Sequence, residues 1–166
     1  MLLTRRKTQP DTVVLNDLIM INNERIACYK QAMAQTNNVH SDLKALFEDI
    51  VREAEGFKNE LIAQLEQFNT NPKNTVTLSG MIHMAWQDLK ATFIGTSRNA
   101  TISFCIYNEE IALQAYGAAL NLSNGAPAAI RSMIERQHEM LNETYQLMKK
   151  SRQLLHYPSV RMMYFN

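Results

Sequence analysis

The chain has 166 residues, of which 46% are apolar and 20% are charged, and its formal net charge is +1. This length and composition suit one globular domain with a sizeable core and argue against a disordered chain. A net charge so close to zero provides no strong field for nucleic acid or for an acidic membrane surface, so neither is expected as a partner.

The cellular location is predicted from the absence of recognisable targeting and membrane segments in the sequence. The N-terminus has no apolar segment of signal-peptide length, and no later segment approaches the length of a transmembrane helix. We therefore expect a cytoplasmic protein without a membrane partner. The cysteines Cys28 and Cys105 lie inside helical patterns and lack metal-ligand spacing, which predicts two buried free thiols.

Apolar spacing predicts the first two helices. Pro10-Asp11-Thr12 is typical of a helix start, and apolar residues then recur every three or four positions as far as Met33. Asn37-Asn38 interrupts this pattern. Ser41-Asp42 provides caps for a second helix, whose apolar stripe extends to Phe68.

The second connection is the long one. Residues 69–79 include Asn71-Pro72, and a shorter amphipathic helix follows from Gly80 to Gly95 with Trp86 on its apolar side. We expect Trp86 to pack in the core. The imidazole of His83, on the same short helix, is expected to be solvated.

Two further long helices complete the pattern. One extends from about Ser97 to Leu122, and the next begins near Pro127, whose missing N–H suits a first helical turn. It continues to about His156, and Pro158 stops it. The residues that follow show no periodicity.

The connections predict the fold. Short links join helices one to two and three to four, whereas a long link with an additional short helix joins two to three, which is the wiring of ferritin-like folds. We predict an all-α, ferritin-like four-helix bundle over residues 11–157. Residues 1–10 form an N-terminal extension and residues 158–166 a C-terminal tail.

Polar side chains interrupt the predicted inner face of the first helix. At about 100° per residue, the apolar centre falls near Leu18, with Asn22, Arg25 and Tyr29 close to it and Glu24 on its flank. Amides, a guanidinium and a phenol are unusual in a helix core, so this face is the most informative in the chain.

The later helices contribute matching polar residues. Glu109 lies in the middle of the stripe of the third long helix, while its neighbour Glu110 faces solvent. Gln137 occupies the stripe of the last helix. Together these positions predict an interior polar network of Asn22, Glu24, Arg25, Tyr29, Glu109, Tyr116 and Gln137.

A buried carboxylate must have a partner, because without one it costs several kcal/mol. The residues themselves leave two partners open. One is a metal ion. The other is Arg25, whose guanidinium offers five donors in a fork that holds carboxylates.

Residues 22–29, NNERIACY, resemble the first-helix motif of ferritins, in which an Asn, a metal-binding Glu, an Ala and a Tyr hold the same spacing. More closely, the chain resembles the PA2169-type (DUF2383) family, a domain of unknown function within the ferritin-like superfamily. The resemblance is carried by LNDLIMINNERIACYKQA at 15–32, GMIHMAWQDLK at 80–90, CIYNEEIALQAYGAAL at 105–120 and the helix around Gln137. It implies the fold and no particular activity.

The resemblance to ferritins also implies where metal ligands would stand. A ferritin-like di-metal centre takes one Glu from each of two helices and Glu-x-x-His from each of the other two. Glu24 and Glu109 would stand for the two single glutamates. The matching places on the second helix are Ala54 and Phe57, which cannot bind a metal.

The last helix and position 106 also depart from the pattern that a di-metal site requires. Glu135 and His138 have the Glu-x-x-His spacing, but Gln137 occupies the core stripe, so both are expected toward solvent. Ile106 stands where relatives usually have a second acidic residue. The resemblance therefore does not imply a carboxylate-rich site in this chain.

We predict that Arg25 supplies the positive charge that a metal supplies in ferritins, in a non-catalytic bundle with a structural or protein-interaction role. Some ferritin-like relatives have stress-linked roles.

No cofactor is expected, and the apolar residues Met162, Met163, Tyr164 and Phe165 favour a homo-oligomer such as a dimer. A small-molecule carrier with an internal cavity is a further alternative. The main alternative is an iron- or manganese-binding oxidoreductase or storage protein with a ligand set drawn from Glu24, Glu109, Glu53, Glu135 and His138.

Overall fold

The computed structural model describes residues 8–35, 41–69, 80–93 and 97–154. Within these ranges the chain has five helices and no strand: α1 Thr8–Gln35, α2 Ser41–Glu66, α3 Gly80–Thr92, α4 Arg98–Leu122 and α5 Ala128–Leu154. Four of the helices are long and α3 is short, so the predicted all-α bundle with an extra helix in the second connection is confirmed.

The first helix begins earlier than its sequence signals predicted. It starts at Thr8 and includes Pro10, so part of the predicted N-terminal extension is helical. Proline is tolerated there because the N–H groups of a first turn have no acceptor within the helix.

The second helix buries one continuous apolar stripe. Its buried side chains recur every three or four residues, at Leu43, Phe47, Ile50, Ala54, Phe57, Leu61 and Leu65. This spacing keeps them on one face, which turns toward the core. A tight turn ends the helix: Asn69 has a φ of 52° and its N–H donates to the carbonyl of Glu66 at 2.9 Å. Asn tolerates this left-handed conformation better than most residues.

Caps define both ends of α4. The hydroxyl of Ser97 accepts a hydrogen bond from the N–H of Ala100 at 3.2 Å, which satisfies one of the unpaired donors of the first turn. At the other end, the N–H of Ser123 donates to the carbonyl of Ala119 at 2.9 Å. Pro127 directly precedes α5, as predicted.

Contacts between helices establish their directions. Residues late in α1 meet residues early in α2, as in the Tyr29–Phe47 ring contact, so this pair is antiparallel. The pairing of Arg25 with Glu109 and of Asn22 with Tyr116 shows that α1 and α4 are antiparallel too. Helices α2 and α4 therefore run in the same direction, which requires a connection along the length of the bundle. This is the ferritin-like topology.

The short helix packs on the outside of α4. The rings of Phe93 and Phe104 stack with centroids 4.0 Å apart, and Trp86 is buried, as predicted. Cys28 and Cys105 are also buried free thiols, as predicted. None of the described helices is long and apolar enough to cross a bilayer.

Some of the predicted features lie outside the described residues. These are the first seven residues of the chain, the linkers containing Asn37-Asn38 and Asn71-Pro72, the side chain of His83, and the C-terminal residues with His156, Pro158 and the apolar group Met162, Met163, Tyr164 and Phe165.

Candidate functional site

Three polar side chains of α1 lie in the bundle interior. Asn22, Arg25 and Tyr29 are separated by three and four residues, so they occupy one face of the helix, and each has 0% relative exposure. A guanidinium removed from water in this way is stable only if carboxylates and hydrogen-bond acceptors replace the lost hydration. The partners of Arg25 therefore define the site.

Arg25 connects carboxylates from two other helices. Its Nε donates to Glu109 Oε1 of α4 at 2.9 Å, and its Nη2 donates to Glu53 Oε1 of α2, also at 2.9 Å. The guanidinium also lies over the ring of Phe57, with 5.8 Å between Cζ and the ring centroid, a distance at which cation–π attraction operates. One cation thus ties α1, α2 and α4 together.

The two carboxylates differ in their surroundings. Glu109 is fully buried, whereas the side chain of Glu53 is 22% exposed and opens the network to solvent. Burial raises the pKa of Glu53, and the charges of Glu109 and Glu143 raise it further, against the lowering effect of Arg25. Burial alone would lower the pKa of Arg25, but Glu109 and the other nearby anionic groups outweigh it and hold that pKa above its ordinary value.

A chain of neutral groups extends from α1 to α5. Asn22 Nδ2 donates to the Tyr116 hydroxyl at 2.8 Å, and that hydroxyl donates to Gln137 Oε1 at 2.7 Å. Gln137 Nε2 then donates to Glu60 Oε2 at 2.7 Å and to the carbonyl of Phe57 at 3.4 Å. Burial raises the pKa of Tyr116, so the phenol stays protonated and keeps this direction of donation.

The short helix α3 is connected to the same region. Trp86 Nε1 donates to Asn108 Oδ1 at 2.8 Å, and Asn108 Nδ2 donates to the backbone carbonyl of Arg25 at 3.4 Å. Asn108 has 0% relative exposure. Sequence reasoning did not include Asn108. Its position directly before Glu109, in a stretch that is otherwise apolar on its buried side, is the signal that could have identified it.

In the structure Glu53, and not Glu24, joins the group around Arg25. Glu24 is half-buried on the flank of α1 and pairs with Lys90 of α3 at 2.5 Å, outside the group around Arg25. The second carboxylate on Arg25 is instead Glu53, which the sequence suggested only as an alternative metal ligand. Glu60, the acceptor for Gln137, was also missed.

The residues present do not fit a ferritin-like di-metal centre. Arg25 places its positively charged guanidinium between Glu53 and Glu109, where it would repel a metal cation. On α2 the inner positions are the buried Ala54 and Phe57. Within the described ranges, no group of three or more His, Cys, Asp or Glu side chains is arranged to hold a metal ion.

The remaining predicted metal ligands lie away from the interior. Glu135 is exposed and pairs with Arg131 one turn before it on α5, at 2.9 Å. His138 is half-buried on the same helix. Gln137, between them, occupies the inner stripe, as expected from the helical spacing.

The buried thiols add no reactive group. Burial raises the pKa of Cys28 to about 12 and the pKa of Cys105 well above its usual range. Because the thiolate is the nucleophile, thiols with pKa values this high are inert at neutral pH. The arrangement as a whole holds charges and hydrogen bonds in fixed places, and the single guanidinium of Arg25 at its centre pairs with two carboxylates.

Comparisons with known proteins agree with this architecture. A search of curated proteins finds no match. Among solved structures, the chain is similar to Dps from Thermosynechococcus elongatus, with a TM-score of 0.67 over 89% of this chain and 93% of that chain, at 16% sequence identity. At this identity the likeness establishes the ferritin-like fold alone.

The sequence profile of one family matches most of the chain. It covers residues 12–122, which include α2, α3, α4 and all but the first four residues of α1, and therefore Arg25, Glu53 and Glu109. The chain belongs to the family described as domain of unknown function DUF2383.

Proposed function

We propose that this protein is a non-catalytic ferritin-like bundle with a structural or protein-interaction role, in which Arg25 occupies the place of a di-metal centre. The observation that carries the proposal is the double ion pair of Arg25 with Glu109 and Glu53, each at 2.9 Å. Because Arg25 already provides a cationic partner for both carboxylates, a metal ion is not required for that purpose.

The electrostatics of the interior support a structural role. Buried ion pairs contribute little net stability, because desolvation offsets most of the attraction, but breaking one is costly. Their geometric demands instead favour one arrangement of the helices over others. The pairs of Arg25 specify how α1 is rotated relative to α2 and α4, and the Asn22–Tyr116–Gln137 chain specifies α5 in the same way.

The proposal includes self-association in the cytoplasm, with a second copy as the partner. Large apolar side chains are exposed on two helices that pack together: Met84 of α3 is 62% exposed and Tyr107 of α4 is 56% exposed. Exposed apolar groups on neighbouring elements are typical of contact surfaces. The proposal also includes a stress-linked role, because some ferritin-like proteins have one and this chain shares their fold.

Metal analysis tests the central claim. The full-length protein is produced with iron and manganese supplied, and its metal content is measured per chain. We expect no stoichiometric metal. Stoichiometric iron or manganese that is lost in Glu109→Ala, but kept in the surface variant Glu48→Ala, would overturn the proposal. It would favour a metal-binding oxidoreductase or storage protein with ligands drawn from Glu24, Glu53, Glu109, Glu135 and His138.

Light scattering on the purified chain tests self-association. We expect a mass above that of one chain, and a shift toward the monomer in Tyr107→Lys. Leu147→Lys is the matched control, because Leu147 is 46% exposed but lies on α5. A monomeric wild-type protein would contradict this part of the proposal and leave the interior network untouched.

A further inference from the structure

An open groove lies between α3 and α4 on the outside of the bundle. It has a volume of about 350 Å³ and a mostly apolar lining, which includes Leu89 of α3 and Ile111 of α4. Tyr107, whose side chain is 56% exposed, also lines it. Apolar surface that stays in contact with water is unfavourable, and where it is concave it is typical of a contact site. The groove is therefore a candidate docking surface.

Two carboxylates give this groove a negative charge. Asp88 of α3 and Glu110 of α4 both line it. Glu110 accepts a hydrogen bond from the Tyr145 hydroxyl at 2.8 Å, and within the described parts of the chain no Lys or Arg forms an ion pair with either carboxylate. A segment that carries a positive charge together with large apolar side chains would therefore complement this surface.

The residues that follow α5 have this composition. Residues 155–166, LHYPSVRMMYFN, lie outside the described ranges, and their sequence contains Arg161 and His156 but no Asp or Glu. Four large apolar residues follow Arg161 directly: Met162, Met163, Tyr164 and Phe165. The charge and the apolar character of this segment are thus complementary to those of the groove.

The segment is long enough to reach the groove of its own chain. Tyr145 of α5 contacts Glu110 in the groove, and α5 ends at Leu154, about 14 Å further along its axis. With about one helix width of 10 Å across the bundle, the way back to Glu110 is about 17 Å. Residues 155–161 span up to about 25 Å when extended. A tether this short gives a high effective concentration, which favours binding within one chain over binding to a second copy.

We propose that residues 155–166 bind in the groove between α3 and α4 of their own chain, with Arg161 beside its two carboxylates and residues 162–165 over its apolar lining. The apolar contacts provide most of the binding free energy. Exposed ion pairs contribute little, so the charges mainly fix the position of the segment along the groove. The inference does not rest on the proposed self-association, because Met84 lies outside the groove lining and remains exposed beside it.

A pair of introduced cysteines tests where the segment lies. In the full-length chain, Gln114→Cys places a thiol in the groove and Met163→Cys places one in the segment, and dilute protein is oxidised with diamide. We expect a disulfide within one chain, identified by peptide mapping. Arg52→Cys with Met163→Cys is the matched control, because Arg52 is 77% exposed on α2 and its neighbour Glu53 lies near Glu143 of α5. Its yield should be at least about fivefold lower, since an undocked position has no raised effective concentration.

Charge reversal tests how the groove recognises the segment. In the chain with Gln114→Cys and Met163→Cys, the further change Asp88→Lys should lower the yield of the disulfide about fivefold, because it places a positive charge beside Arg161. Arg161→Glu in addition should restore the yield. Glu48→Lys makes the same change of charge at an exposed position of α2 and should leave the yield unchanged.

Three results would overturn the inference. The first is an equal yield from the groove pair and the α2 pair of cysteines. The second is a disulfide that joins two chains, because a second copy would then occupy the groove, and this result would support the proposed self-association. The third is a yield that Asp88→Lys does not change. Each of them leaves the proposed interior network of Arg25 standing.

Discussion

Arg25 Nε donates to Glu109 Oε1 at 2.9 Å, and neither side chain is accessible to solvent, although the two residues are 84 positions apart in sequence. Their contact therefore forms only when α1 and α4 pack in one register and with one rotation. Because a mismatched packing would strand a charge in the core, the pair penalises alternative arrangements more than it stabilises the native one.

Replacement of Arg25 by methionine should lower the free energy of unfolding by about 3 kcal/mol, because Glu109 would lose the cation that compensates its burial. Urea unfolding of both proteins measures the difference. Arg52→Met is the control, since the Arg52 side chain is 77% exposed, and a surface change should alter stability by no more than about 0.5 kcal/mol. Equal stability of wild type and Arg25→Met would mean that the interior network does not exist.

Glu53→Gln should remove a carboxyl group that binds a proton more readily in the folded protein than in the unfolded chain. Burial raises the pKa of Glu53 above its ordinary value of 4.5, so the folded state binds this proton more readily than the unfolded state. The ionised side chain therefore costs stability above the folded pKa, and this cost disappears as the pH falls through that pKa toward 4.5.

The measurement is the melting temperature of wild type and Glu53→Gln from neutral to acidic pH. We expect the wild type to gain stability relative to the variant as the pH falls. Glu48→Gln, at an exposed position of the same helix, controls for the change in net charge. A relative gain of the wild type with rising pH would show that Arg25 dominates over burial at Glu53.

Asn108→Leu should destabilise the protein by about 1–3 kcal/mol, because it leaves the buried Trp86 Nε1 without an acceptor. Trp86 is the only tryptophan of the chain, so its fluorescence reports the change directly. Gln114→Leu, an exposed position of α4, is the control. If Asn108→Leu left both the stability and the emission unchanged, the Trp86–Asn108 bond would contribute nothing.

Gly56→Ala should raise the free energy of unfolding by about 0.5–1 kcal/mol, since glycine in a helix interior loses more backbone entropy on folding than alanine does. A Cβ at Gly56 would have no atom within 4 Å, so nothing opposes this gain. Thermal unfolding tests it. The reverse exchange at the exposed Ala63 of the same helix, Ala63→Gly, should lower stability by a similar amount; a loss of stability in Gly56→Ala would refute the argument.

The helices were predictable because each is encoded by local spacing. The stripe of α2, from Leu43 to Leu65, appears in the sequence at intervals of three and four and is buried in the structure. The start of α1 was placed too late, because Pro10 is compatible both with a stop before a helix and with a first turn. Local sequence does not distinguish these two positions.

The partners of Arg25 were less predictable than its burial. Helical spacing placed Arg25 and Glu109 on inner faces, but it did not indicate which edge of α2 would face them. Glu24, adjacent to Arg25 in sequence, is rotated toward α3 and pairs with Lys90, while Glu53 reaches the guanidinium from α2. This choice depends on the rotation of each helix about its axis.

The sequence by itself determined the helical content, the order of long and short connections and the polar character of the inner faces, because these follow from periodicity and from the residues that begin and end helices. Only the tertiary structure decided which polar groups meet. Hydrogen bonds and ion pairs require distances near 3 Å between groups far apart in the chain, and such distances follow from how the helices pack.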